Sequence, residues 1–177
     1  MLTLSILGFL AEEPLHAYEL RTRISGLSGH VRPVSDGALY PALNRLHKAG
    51  FLAREEMPGR GATPRQVLSL TPEGHAELIA RLREPADVEI TDRNSFLVLL
   101  AFLGRLPNPA DQARVLRRRL EFMNQPASYF YADGRPLRAA ETADPFRKGM
   151  LTLAAATSRA DRAWLEAMIA TLEHESP

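Results

Sequence analysis

The sequence predicts a mainly α protein with one small β-hairpin, divided into two domains. Three observations carry that expectation. Apolar residues recur at helical spacing in three short segments before residue 50; the period shortens over residues 51 to 70 around a cluster of turn formers; beyond Pro85 only helical patterns return. A chain of 177 residues is long enough to bury a core without metal or disulfide support.

Leu4, Ile6, Leu7 and Leu10 give a first helix that stops before Pro14, since a residue preceding proline is pushed out of the helical region. A second helix is expected from about Leu15, with Ala17, Leu20, Ile24 and Leu27 on one stripe and Gly26 and Gly29 to end it. A third begins around Ser35–Gly37 and runs to Gly50, the position of a glycine stop. Its Leu39, Leu43 and Leu46 fall within about 60° on a wheel of roughly 100° per residue, which makes them the buried stripe. Phe51–Met57 and Gln66–Leu70 then read as strands joined by the Pro- and Gly-rich segment 58–64. Thr71-Pro72-Glu73 supplies an N-cap, an N1 proline and a first-turn acid for a fourth helix to about Glu84.

The C-terminal half reads differently. Asn94–Leu106 is apolar nearly all round and predicts a helix covered on several sides. Asn108-Pro109 opens another, with Leu116, Leu120 and Met123 on its stripe and Arg117–Arg119 on a solvated face. Residues 126–144 have no clear period. Phe146 to Leu172 is the longest helical pattern, with Phe146, Met150, Leu153, Trp164, Met168 and Leu172 spaced by threes, fours and their multiples.

Three short helices followed by a hairpin make a winged helix-turn-helix when the third helix has a polar, reachable face. Opposite the leucine stripe lie Gly37, Tyr40, Pro41, Asn44 and Lys48, with Arg45 at the margin. Tyrosine offers a hydroxyl to phosphate, asparagine pairs with adenine in the major groove, and lysine or arginine takes phosphate or guanine. Gly37 leaves room for a phosphate at the helix N-terminus, where free N–H groups point outward. Pro41 is out of place in a helix interior, so either the helix starts later than Ser35 or its first turns are distorted. In the hairpin, Arg60 and Arg65 flank a small-residue loop suited to the minor groove or the adjacent backbone; Arg32 is a weaker candidate.

Three segments carry a family resemblance: LSILGFLAEEPLHAYEL from Leu4 to Leu20, GALYPALNRLHKAGFL from Gly37 to Leu52, and LSLTPEG from Leu68 to Gly74. Together they resemble the N-terminal domain of the PadR family of bacterial transcriptional regulators, over roughly the first 80 residues. The resemblance implies a winged-helix DNA-binding domain with Tyr40 and its neighbours on the recognition helix. The C-terminal half is similar in length to that of the family's long-tailed, virulence-activator-like branch, which implies tail helices that assemble a dimer. Ala17 stands where glycine is common, Ala38 replaces a frequent serine and removes one phosphate hydroxyl, and Val67 and Leu68 stand where an aromatic is frequent.

Charge and composition narrow the function classes. The net charge of +1 conceals a partition: residues 21–65 hold eight Lys/Arg and three acids, a local +5, leaving 14 bases against 18 acids elsewhere. With no cysteine, disulfide scaffolds, thiolate metal sites and thiol chemistry are excluded. Met1–Ala11 and Asn94–Gly104 are uncharged stretches of eleven residues, short of the roughly 20 that span a bilayer. The first lacks a cationic leader and meets Glu12–Glu13, so a cytoplasmic protein without a membrane partner is expected. The five histidines are scattered, with no pair at helical spacing for a metal; no P-loop, nucleophile elbow or dinucleotide fingerprint occurs; Glu12–Glu13 and Glu55–Glu56 read as solvated charge. No enzyme activity, cofactor or metal is predicted.

The expectation is a homodimeric, sequence-specific DNA-binding regulator. Residues 1–84 form the winged helix-turn-helix domain and 85–177 an all-helical dimerisation domain. The recognition helix, about residues 37–48, enters the major groove of double-stranded DNA, and the wing, about 58–65, meets backbone or minor groove on a near-palindromic operator. Phe146, Met150, Trp164 and Met168 are candidates for dimer contact or for holding a small apolar effector. The alternative is a helical protein-interaction adaptor that keeps the winged scaffold without binding DNA.

Overall fold

The computed structural model describes residues 1–27, 34–57, 65–125, 129–132 and 134–174. The chain separates into two compact units, Met1–Pro107 and Asn108–Pro177.

In the first unit, α1 (Leu2–Leu10) is a central element, with Leu4, Ile6, Leu7 and Leu10 all buried. After Pro14 the chain makes a two-residue strand, β1 (Leu15–His16), before α2 (Ala17–Leu27) begins. The sequence predicts helix from Leu15; a strand this short has no period to read, and only its partner reveals it. The partner is β3 (Arg65–Leu70), which also pairs with β2 (Leu52–Met57), so the sheet has the order β1-β3-β2 and is antiparallel throughout. Val67 lies between His16 and Glu55, and Leu68 lies between Leu15 and Arg54. Leu68 is buried, so an aliphatic side chain fills this core position.

Helix α3 (Asp36–Lys48) buries Leu39, Ala42, Leu43 and Leu46 and ends as the sequence predicts. Gly50 adopts φ 78°, its N–H donates to the His47 carbonyl, and the Phe51 N–H donates to the Leu46 carbonyl, each at 3.0 Å. This is a Schellman stop, which needs the left-handed residue that glycine provides without strain.

Helix α4 (Pro72–Arg83) starts at the predicted cap: Thr71 Oγ1 accepts from the Gly74 N–H at 3.0 Å and donates to the Gly50 carbonyl at 2.7 Å. The Thr71 N–H donates to the Phe51 carbonyl at 3.1 Å. A Cβ on Gly74 would lie 2.1 Å from that same carbonyl oxygen. The run from Leu68 to Gly74 thus fastens the start of α4 to the turn after α3.

Beyond α4, a short helix α5 (Asp87–Thr91) leads into α6 (Arg93–Leu103), capped by Asp92 and buried at Phe96, Leu99, Phe102 and Leu103. The first packing unit runs on past α4 to Pro107. Its cause lies at Gly8: a Cβ there would be 2.5 Å from the Phe102 ring, and Phe9 meets the same ring edge-on at 5.1 Å between centroids. The apolar α6 is covered by this contact with α1.

In the second unit, α7 (Pro109–Asn124) is capped by Asn108, and α8 (Pro145–His174) is the longest helix, as predicted. Within 126–144, where the sequence has no clear period, two residues each of β4 (Tyr131–Ala132) and β5 (Arg135–Pro136) form a small antiparallel ribbon, followed by a single 3-10 turn at Ala139–Glu141. Arg135 pairs with Glu141 through both carboxylate oxygens at 2.9 Å. That pairing, with the Arg138 N–H donating to the same carboxylate, holds the Glu141 pKa below the ordinary glutamate range and raises that of Arg135.

Two expectations for this unit change. Arg119 is not on a solvated face: it is 5% exposed, with its guanidinium over the Phe122 ring at 5.5 Å, and Arg117 is paired with Glu173 of α8. The buried stripe of α8 is Leu151, Leu165, Ile169 and Leu172. Only Leu172 belongs to the stripe read from the sequence; the others of that stripe lie mostly on a second, exposed face.

Candidate nucleic-acid interface

The proposed reading face is built on α3. Its buried residues point into the first unit's core, which turns Gly37, Tyr40, Pro41, Asn44, Arg45 and Lys48 outward, all of them exposed. Tyr40, Asn44 and Lys48 follow at intervals of four and form one row along the helix. Tyr40 is 50% exposed, a large aromatic left in solvent beside polar neighbours.

The N-terminal end of α3 carries an acid as well as a glycine. Ser35 is the extended N-cap residue but makes no side-chain cap bond, and Asp36 occupies the first turn, where the helix dipole favours a carboxylate. Arg21 of α2 donates from Nη1 to Asp36 Oδ1 at 2.8 Å. The pair neutralises the charge beside Gly37.

Pro41 lies well inside the helix, which begins at Asp36, so a late start is not the answer. Without an N–H, Pro41 gives nothing to the Gly37 carbonyl one turn earlier. That carbonyl sits on an exposed glycine, where water reaches it.

The wing is seen at its base. Arg65 opens β3, opposite Met57; Arg60 and the loop 58–64 lie outside the described residues, as does Arg32. Two histidines tie the sheet, His47 to helix α3 and His16 strand to strand. His47 Nδ1 donates to the Leu52 carbonyl at 2.8 Å, and His16 Nδ1 to the Gln66 carbonyl at 2.9 Å. Both rings are thus engaged with backbone carbonyls. Glu19 accepts from the His16 N–H at 3.1 Å and from the Tyr18 hydroxyl at 3.0 Å. These two bonds, the first chiefly, lower its pKa.

Arg54 is the residue that the sequence reading passed over. It lies on β2, and its Nη2 donates to Asn44 Oδ1 at 2.6 Å. Strand alternation is the signal that finds it: Leu52 is buried, so Arg54, two residues on, shares the strand face that turns toward α3.

Residues 6–80 match the transcriptional regulator PadR-like family. That segment is a PadR-like domain. Family members are DNA-binding transcriptional regulators with a winged-helix fold, not enzymes. The matched segment runs from the second half of α1 to most of α4, and so contains every residue of the α3 face and both strands of the hairpin.

Among solved structures, Bacillus subtilis PadR in complex with operator DNA is 19% identical over 97% of this chain and 98% of that one, with a TM-score of 0.47. The smu.1604c protein of Streptococcus mutans is 22% identical over 98% and 96%, with a TM-score of 0.44. The PadR-like regulator BC1756 of Bacillus cereus is 18% identical over 96% and 94%, with a TM-score of 0.43. No curated protein matches the chain. Among the described residues no helix is long and apolar enough to cross a membrane, and no group of three metal-ligating side chains occurs.

Proposed function

We propose that this PadR-like regulator binds double-stranded DNA as a homodimer on a near-palindromic operator. Residues 1–84 serve as the DNA-binding module. The α3 face carries the reading: Tyr40, Asn44, Arg45 and Lys48 stand exposed opposite a buried leucine stripe, on a helix of the PadR-like domain whose outer side is both polar and cationic. The helix enters the major groove, Tyr40 and Lys48 take phosphate, and Asn44 and Arg45 meet base edges. Arg60 and Arg65 hold the wing to the backbone or minor groove, with Gly37 and Pro41 shaping the close approach.

Residues 85–177 contain the dimerisation surface in this reading, and α8 supports it. Phe146 is 87% exposed, Leu153 71%, Trp164 42% and Met150 37%. These residues lie about 100° round the helix from Leu151, Leu165 and Ile169. A soluble helix with a second apolar stripe needs something to cover it, and a second copy supplies a matching one. A small apolar effector bound among Phe146, Met150, Trp164 and Met168 would then alter the spacing of the two recognition helices.

The test is binding to duplex DNA as a function of salt. Tyr40→Ala and Arg60→Ala are expected to weaken binding to a selected operator while leaving thermal unfolding nearly unchanged. The logarithm of affinity should fall linearly with the logarithm of salt concentration, with a slope set by the phosphates neutralised. A flat salt dependence would favour the adaptor reading instead.

A further inference from the structure

Asn44 stands on the exposed face of α3 with its side-chain oxygen already engaged by Arg54 at 2.6 Å. A guanidinium has donors only, so the amide orientation follows from chemistry: Oδ1 faces Arg54 and the Nδ2 hydrogens face away. Arg54 is itself held. It is partly buried on β2, in register with Leu68, and its Nε is buried with no hydrogen-bond partner among the described residues. A cation seated this way has its reach spent on a neighbour, whereas Arg45 and Lys48 extend into solvent.

We propose that Arg54 is a positioning residue that sets the base preference of Asn44. With the oxygen occupied by a cation, Asn44 meets the major groove as a donor through Nδ2. It favours guanine, whose O6 and N7 both accept, over adenine, whose N6 amino group needs that oxygen as its acceptor. The hairpin thereby takes part in base reading from its strand, in addition to any contact its loop makes.

This inference rests on α3 reading DNA, and the experiment separates the two. Bound duplexes are selected from random DNA at one fixed salt concentration with the full-length wild type and the Asn44→Ala, Arg54→Ala and Arg54→Lys variants, and the affinity of each for its selected duplex is then measured over a salt series. Wild type is expected to prefer guanine by about tenfold at one position of each half-site. Asn44→Ala should abolish that preference, Arg54→Ala should move it toward adenine with the salt slope unchanged, and Arg54→Lys should keep most of it. If Arg54→Ala melts too low to use, Asn44→Asp replaces it: an acceptor-only side chain should turn the same position to cytosine, whose N4 donates. Adenine at that position in wild type overturns the inference. So does an Arg54→Ala variant that weakens binding to all duplexes equally and reduces the salt slope by about one, the mark of a phosphate anchor. A wild type that selects no duplex overturns the DNA-reading assignment itself.

Discussion

Pro41 is the residue at which local preference and fold disagree most. It sits inside α3, where a proline costs about 3 kcal/mol relative to an ordinary helix former because it lacks the N–H and crowds the preceding turn. Pro41→Ala is therefore expected to stabilise the folded protein by about 1–3 kcal/mol, read by denaturant or thermal unfolding. A neutral or destabilising result would mean that the exposed first turns of α3 already relax around the ring. The sequence identifies the oddity; the structure decides that the helix continues through it. Asn44 and Arg54 are the reverse case. Each looks ordinary alone, and their bond joins residues ten apart on different elements, which no local pattern encodes.

Elements are set by punctuation and by close approach. The stop of α3 at Gly50 and the start of α4 at Thr71-Pro72 were legible because capping residues act on their own helix ends. β1 was not, since two residues carry no period and exist as strand only through β3. The α1–α6 packing was equally hidden: Gly8 reads as a weak spot in a helix until Phe102 is seen against it. Gly8→Ala is expected to destabilise by about 1–3 kcal/mol, the usual cost of overpacking a tight contact, although alanine is the better helix former. A gain in stability from that substitution would show that the ring moves aside freely.

At the scale of the whole molecule, the two faces of α8 matter most. One face, Leu151, Leu165 and Ile169, is buried within its own unit; the other, Phe146, Leu153 and Trp164, remains largely open. If a second copy covers the open face, Leu153→Glu combined with Trp164→Glu should convert a dimer to monomer in sedimentation analysis, with helix content by circular dichroism little changed. An unchanged sedimentation coefficient would place the dimer surface elsewhere. Charge belongs to the same scale. A net +1 resolves into +5 over residues 21–65 and an acidic remainder, and the structure subtracts from that local excess, since Arg23 pairs with Glu12 and Glu13 from outside it. The footprint left for DNA is small, and duplication by symmetry is what would give it useful affinity.

The sequence by itself determined the order of elements, the leucine stripe and polar face of α3, the caps that bound its helices, and a resemblance on three motifs. These depend on spacing, capping and residue type, which act within a few residues along the chain. Only the tertiary structure decided that α6 closes the first unit against Gly8, that Arg119 is buried, that the stripe read on α8 is mostly its outer face, and that Arg54 holds Asn44. Each of these depends on which surface meets which, and a helix with two apolar stripes or an arginine on a strand is compatible with more than one partner until the packing selects it.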